Sequence, residues 1–372
     1  MNSCMNHLQL NEYQCCAIDR LGIASLTPMQ EEALFAARQT NSIVLLSPTG
    51  TGKTLAFLLP LIERLQLKAV PCVQAMIVVP SRELAIQIEN VIKSMGLPWR
   101  AMSVYGGRAA MDEHRTMRGV QPTVVIGTPG RLNDHLEKGN IDASTIESLV
   151  IDEFDKLAKC NDTGKDVSGI GVQKSLLKLL EGKITDIQLD MWGSTARIDT
   201  SKITFVLLGV FPELKEIRKK RLGVKTQKCI GFTNISENDV HVYENTSYIA
   251  EDFEKAGFMT EVIGRIKVFL EANELMENDF YEILTKSRLS NLPDIRKEFS
   301  EKGIRLVVKN GTLKEIAKRA YSYKTGARAI NTVLEDTFSK VLYEIDANPK
   351  KQYKNCIVTA DTVNNNQKYI LK

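Results

Sequence analysis

In the first half of the chain, four short apolar runs carry no alternation of polar positions: residues 42–46, 75–79, 123–126 and 148–151. The first three lead through turn residues into segments with helical spacing of apolar positions, and the fourth ends in Asp152-Glu153. Runs of Val, Ile and Leu without alternation predict strands buried on both faces, hence a parallel sheet with helices on each side and an α/β fold. A later run, 203–208, reads as another strand and ends in Gly209. Residues 275–345 read as helices with a short strand at 304–308, and residues from 348 onward as a polar, Lys- and Asn-rich tail. The glycine-containing and polar turns fall just after the early strands, where an open α/β sheet places its ligand site.

Composition narrows the class. At 372 residues, one domain per ~150 predicts two or three domains. With 43% hydrophobic and 25% charged residues the chain can bury a core, which excludes a disordered, collagen-like or disulfide-stapled protein. A net charge of +4 is too weak to imply nucleic acid by itself. Seven cysteines scattered from Cys4 to Cys356, without a CxxC pair, predict neither a disulfide framework nor zinc, and fit a reducing, cytoplasmic setting. The most apolar stretch, 55–62, is too short for a bilayer and contains Pro60, so neither a membrane nor export is expected.

The run at 42–46 leads into Ser47-Pro48-Thr49-Gly50-Thr51-Gly52-Lys53-Thr54, a phosphate-binding loop. Gly50 and Gly52 let the backbone turn its N–H groups inward, and a helix starting near Lys53 adds its positive end. Lys53 can reach β/γ oxygens and the Thr54 hydroxyl can ligate Mg²⁺, so ATP and Mg²⁺ are the expected cofactors. Ser47 stands where the usual first glycine opens the turn. About a hundred residues later, Asp152 is the candidate to hold Mg²⁺ and Glu153 to polarise the attacking water. An acidic pair alone is more often a solvated turn than a site; the glycine loop gives it meaning.

Around this loop the first ~155 residues resemble the first RecA-like domain of DEAD-box RNA helicases. Leu26-Thr27-Pro28-Met29-Gln30 is similar to that family's Q motif, which implies that Gln30 reads adenine. Pro80-Ser81-Arg82-Glu83-Leu84-Ala85 resembles motif Ia, Gly106-Gly107 the GG motif, and Thr128-Pro129-Gly130-Arg131 motif Ib. The resemblance implies that these three grip the sugar-phosphate backbone of one RNA strand. Arg82, Arg131 and turn N–H groups suit phosphates, so binding would be salt-dependent and nearly blind to sequence. For Arg82 alone, a surface ion pair with Glu83 is the alternative. The acidic motif reads Asp152-Glu153-Phe154-Asp155, and Met5 stands where the family has a stacking aromatic.

Past the acidic motif that likeness stops. No Ser-Ala-Thr closes the strand at 203–208, and no second RecA-like pattern follows, so processive duplex unwinding is not expected. Residues ~150–348 instead resemble the C-terminal half of a ClpX-like AAA+ ATPase. Asp166-Val167-Ser168-Gly169-Ile170-Gly171-Val172-Gln173 matches the helix after the acidic strand, and Asp199-Thr200-Ser201-Lys202 leads into the sensor-1 strand. Glu261-Val262-Ile263-Gly264-Arg265 implies that Arg265 is an arginine finger acting on a neighbouring subunit. Lys324-Thr325-Gly326-Ala327-Arg328 implies that Arg328 is the sensor-2 arginine over the chain's own γ-phosphate. Such arginines offset charge growing in the transition state. Ile230-Gly231-Phe232 lies where the family docks its peptidase; a β-turn with buried side chains is the alternative. The family's aromatic pore loop is missing, and the loop between Glu181 and Asp199 lacks its basic second pore motif, although Trp192 and Arg197 remain.

The expected architecture is thus a P-loop NTPase core of RecA-like/AAA+ type over 1–250 (1–155 DEAD-box-like, 156–250 ClpX-like). A small, mostly helical α/β lid follows at 251–348, with a tail at 349–372. The favoured function is a Mg²⁺-dependent ATP hydrolase that binds single-stranded RNA or other nucleic acid. The alternatives are a ClpX-like protein-remodelling subunit, with a homo-hexamer, an unfolded protein substrate and a Clp-type peptidase as partners, or a fusion that binds nucleotide without complete activity.

Overall fold

The apolar runs become strands at their expected places, and the computed structural model adds others. It describes all residues except 1–6, 24, 49, 66–71, 108–109, 159–168, 189–194, 224–245, 274, 287–290, 310, 324, 349–352, 365–368 and 372. In chain order the strands are β1 (Ser42–Leu46), β2 (Ala75–Val78), β3 (Ala101–Val104), β4 (Val124–Gly127), β5 (Ser148–Ile151) and β6 (Ile184–Gln188). They continue as β7 (Thr195–Asp199), β8 (Thr204–Gly209), β9 (Val268–Glu271), β10 (Arg305–Val308), β11 (Asn355–Val358) and β12 (Ile370–Leu371). Helices in the first part are α1 (Glu12–Leu21), α2 (Pro28–Gln39), α3 (Lys53–Arg64), α4 (Arg82–Met95), α5 (Ala110–Val120), α6 (Pro129–Glu137), α7 (Gly169–Leu180) and α8 (Pro212–Arg221).

Seven strands form one sheet in the order β3-β4-β2-β5-β8-β1-β9, with every neighbouring pair parallel. All residues of β1, β4 and β8 are buried, as strands covered by helices on both faces must be. The chain divides into two compact units. The first comprises residues 1–17, 26–47 and 53–272; the second comprises 18–25, 48–52 and 273–372. In the first, Phe154, Phe211, Phe253 and Phe258 close a buried cluster beneath the strand ends at β1 and β8, with Val44, Leu46 and Leu207. In the second, helix Arg328–Ala347 buries Ile330, Val333, Leu334, Phe338 and Val341 against Phe280, Phe299 and Ile316. Spacings of three and four along that helix produce the buried stripe.

Three expectations change. The boundary expected at residue 250 falls at 272, because β9 pairs with β1 and completes the large sheet. The segment expected as a polar tail supplies β11 and β12. β11 pairs parallel with β10, and Cys356, Val358 and Val363 are fully buried. Burial alternates along Asn355–Val358, with Cys356 and Val358 inward, so one face enters the core despite polar flanks. Within the stretch expected as a loop between Glu181 and Asp199, β6 pairs antiparallel with β7, with Thr185 opposite Ile198. Among the described residues no helix is long and apolar enough to cross a membrane, and Cys15, Cys16, Cys72 and Cys356 are free thiols.

Candidate functional site

Parallel strands all end on the same edge of the sheet, so the closing ends of β1, β2, β3, β4, β5 and β8 lie along one rim. Along it, β5, β8 and β1 are consecutive, as are β3, β4 and β2.

Ser47 extends β1 by one residue: it is fully buried and its N–H donates to the Gly209 carbonyl at 2.9 Å. Gly50 and Gly52 both have φ near +87°, in the left-handed region where a Cβ is strained. Within the second unit, a Cβ on Gly50 would also come within 2.6 Å of the Ala327 Cβ. The Thr51 hydroxyl donates to the Pro48 carbonyl at 2.9 Å and closes the turn. α3 then starts at Lys53 with no acidic residue in its first turn, which leaves the positive end of the helix uncancelled. Lys53 and Thr54 are half-buried there, and Thr49 lies outside the described residues.

Two strands away, the Asp152 N–H donates to the Val78 carbonyl at 3.0 Å, and Asp152 Oδ1 accepts the Glu153 N–H at 2.9 Å. Glu153 takes φ +55°, unusual for a residue with a Cβ, and its side chain is exposed on the rim. Phe154 anchors this turn. It is fully buried, with ring centres 5.0 Å from Phe258 and 6.2 Å from Phe211. Asp155 Oδ1 accepts the Val210 N–H at 3.3 Å, tying the acidic turn to the end of β8. At ~4.8 Å between strands, the acidic pair and the end of β1 are about 10 Å apart across β8.

The other sequence candidates are distributed as follows. Gln30 is buried in the first turn of α2, in a capping box: its Oε1 accepts the Thr27 N–H at 2.9 Å and Thr27 Oγ1 accepts the Gln30 N–H at 3.4 Å. Arg265 is exposed, but its carbonyl accepts the Ser42 hydroxyl at 3.0 Å, at the opening end of β1. Ser42 and the closing residue of β1, Leu46, are four residues of strand apart, about 13 Å. Arg328, also exposed, begins helix Arg328–Ala347 in the second unit. Lys324, Trp192, Met5 and the Ile230-Gly231-Phe232 tripeptide lie outside the described residues.

At the other end of the rim, Pro80 and Arg82 are exposed where α4 begins, capped by Ser81 Oγ, which accepts the Leu84 N–H. Arg82 pairs with Glu83, and that hydrogen bond holds the Glu83 carboxyl below its ordinary range. Gly106 and Gly107 form an exposed turn after β3, with Gly107 at φ +97°. Thr128 is the N-cap of α6 after β4. Arg131 turns inward: its side chain is 14% exposed, with Nε 3.3 Å from Glu113 Oε2 and Nη1 3.7 Å from Asp134 Oδ2.

This last cluster was not legible in the motifs. Glu113 and His114 on α5 meet Arg131, Asp134 and His135 on α6. His114 Nε2 is 2.8 Å from Asp134 Oδ2, the two imidazole rings are 4.7 Å apart, and His135 Nε2 is 3.6 Å from Glu113 Oε1. Burial, reinforced by His114, Arg131 and Lys138, pushes the His135 pKa down to about 4, so its ring is neutral at pH 7. Hydrogen bonding to Lys138, then to His114, lowers Asp134 to about 2. The available signal was two histidines and two acids at helical spacing on consecutive amphipathic segments. A second unforeseen network lies beside β1: Glu271, level with Leu46 in the register, takes Arg218 Nη1 at 2.8 Å and the Tyr248 hydroxyl at 3.1 Å.

Residues 27–176 match the family model of the DEAD/DEAH box helicase, and residues 275–350 that of the C-terminal, D2-small domain of ClpB protein. The likeness is composite. The ATP-dependent Clp protease ATP-binding subunit ClpX of Borrelia duttonii (strain Ly) is 32% identical over 240 residues, covering 62% of this chain and 55% of that protein. The DEAD-box ATP-dependent RNA helicase CshA of Geobacillus kaustophilus (strain HTA426) is 35% identical over 154 residues, 40% of this chain and 32% of that protein. CshA of Bacillus subtilis (strain 168) is 35% identical over 145 residues. The chain therefore spans about half the length of that ClpX and about a third of these helicases. The two-part resemblance read from the motifs is borne out, as is a parallel α/β core of P-loop NTPase type.

Proposed function

We propose that the chain is a Mg²⁺-dependent ATP hydrolase whose nucleotide site spans β5, β8 and β1, and whose neighbouring turns bind single-stranded RNA. The observation that carries this reading is the sheet order. The ends of β5, β8 and β1 are consecutive in the sheet, and so are those of β3, β4 and β2, the strands that lead into the three motifs read as gripping a nucleic-acid backbone.

In this reading Ser47, Thr49, Gly50, Thr51 and Gly52 supply the cradle, with Lys53 against the β/γ oxygens and Gln30 against adenine. Thr54 and Asp152 offer oxygen donors, the few-ligand set that suits Mg²⁺, and the ion would neutralise the phosphate oxygens. Glu153, lifted onto the rim by its left-handed backbone, orients the attacking water and accepts its proton. Arg328 acts in cis on the γ-phosphate. Pro80, Arg82, Gly106, Gly107, Thr128 and Arg131 form the backbone-binding edge. Residues up to 272 are the ATPase core, and 273–372 the small α/β lid.

A ClpX-like ring is the second reading, and the position of Arg265 favours it. That arginine is exposed, with its backbone at the opening end of β1, which suits a role towards a neighbouring subunit's phosphate. In this reading the partners are a homo-hexamer, an unfolded protein, and a Clp-type peptidase docked through Ile230-Gly231-Phe232. The whole RNA-type edge and the missing aromatic pore loop favour nucleic acid as the polymer.

Calorimetry with ATP and a phosphate-release assay test both readings. Wild type should bind ATP and Lys53→Ala should not; Glu153→Gln should bind but lose about 10²–10⁴-fold in turnover. Stimulation by single-stranded RNA supports the first reading. Stimulation by unfolded protein, with Arg265→Ala rescued by mixing with Glu153→Gln, supports the second. Equal ATP binding by wild type and Lys53→Ala sinks both.

A further inference from the structure

Arg131 is the basic residue of a turn read as phosphate-gripping, yet its charge is directed into the protein. Glu113 is only 3% exposed, and a carboxylate at that depth is strongly unfavourable without a cation. Arg131 Nε lies 3.3 Å from one of its oxygens and His135 Nε2 3.6 Å from the other. His135 cannot be the counter-ion near pH 7. It is neutral, and its Nδ1 faces the Asn140 amide at 3.4 Å, which leaves the ring proton on Nε2. Arg131, permanently charged and 14% exposed at the side chain, is a cation within ion-pair distance of that carboxylate. His114 is bound to Asp134, which also receives Lys138, so the remaining acid of the cluster is served without Arg131. The Glu113–Arg131 pair joins α5, which follows the Gly106-Gly107 turn, to α6, which follows the Thr128 turn. Those turns close β3 and β4, adjacent strands whose register is already set, with Val104 opposite Gly127.

We infer that Arg131 is a positioning residue: by neutralising buried Glu113 it clamps α6 onto α5 and fixes the spacing of the two turns that meet the nucleic-acid backbone. The inference rests on the RNA reading of this edge and deepens it. Arg82, 66% exposed at the side chain, is in this reading a residue that meets phosphate directly.

Binding of a fluorescein-labelled single-stranded oligouridylate to the full chain, measured by anisotropy from 50 to 300 mM salt, separates direct from indirect roles. Removing a phosphate contact lowers the slope of log K against log salt by about 0.7 for a single strand. Arg82→Ala should do so. Arg131→Ala should weaken binding about tenfold, as loss of an outer-shell partner does, with the wild-type slope retained. Glu113→Gln, nearly isosteric, should weaken binding similarly, and the double variant should be no worse than either. A reduced slope in Arg131→Ala with wild-type binding by Glu113→Gln overturns the inference. Hydrogen exchange on the same proteins is a second measurement that needs no RNA. Both variants should speed exchange at Gly107 and at residues 130–132; unchanged exchange there overturns the clamp. If wild type binds no oligouridylate, the RNA reading fails by itself, and exchange still decides whether Arg131 orders the turns.

Discussion

Acidification offers a quantitative test of the α5–α6 interface. His135 is fully buried, and its folded pKa is about 4 against 6.5 for the free side chain. Between those values the unfolded chain takes up a proton that the folded chain refuses. The contribution of this residue is therefore fully present above pH 6.5 and is lost progressively as pH falls towards 4. At about 1.4 kcal/mol per pH unit, the loss is about 2 kcal/mol by pH 5 and about 3 kcal/mol at completion. The groups facing His135 are His114 and Glu113 from α5, and Arg131, Asp134 and Lys138 from α6 and its end. Asp134, at about 2, is charged throughout this range. Urea unfolding in a Trp192→Phe background, followed by fluorescence of the buried Trp99, reports on the first unit. The stability of the parent should fall by about 2 kcal/mol between pH 7.5 and 5 more than that of His135→Gln. Identical pH profiles would refute the argument that the proton is excluded at this ring.

Three further outcomes follow from packing and charge. Phe154→Ala removes a fully buried ring from the aromatic cluster behind Glu153, and should destabilise the first unit by about 3–5 kcal/mol in the same urea assay. Asp252, fully buried and held by Arg221 at 2.9 and 3.0 Å, should on change to Asn leave that arginine uncompensated; a loss of about 3–5 kcal/mol is expected, and a loss under 1 would contradict the pairing. Gly50→Ala combines a left-handed backbone with a Cβ 2.6 Å from Ala327, so calorimetry should find ATP affinity reduced at least tenfold.

Much of the core was legible because strands buried on both faces must be continuously apolar. β1, β2, β4, β5 and β8 were all visible on that ground. β3 and β9 were not. Ala101–Val104 contains a serine and Val268–Glu271 ends in an acid, and both lie at the edges of the sheet, where pairing on one side tolerates mixed residues. The C-terminal strands were hidden for a related reason, since only alternate residues of Asn355–Val358 enter the core. Within the candidate site, the glycine loop and acidic pair were readable because phosphate chemistry requires particular residues at particular local spacings. Arg131 was readable as a basic residue in a turn, but its inward direction was not. That depends on Glu113, eighteen residues earlier on another helix.

The chain by itself determined which turns carry chemistry, and that two resemblances meet near the acidic strand, because both are written in contiguous residues. Only the tertiary structure decided that β9 flanks β1, that the Arg265 backbone meets the opening end of β1, and that Arg131 lies 3.3 Å from an interior carboxylate. Those are facts about neighbours distant in sequence, brought together by sheet order and by the requirement that a buried charge find its counter-ion.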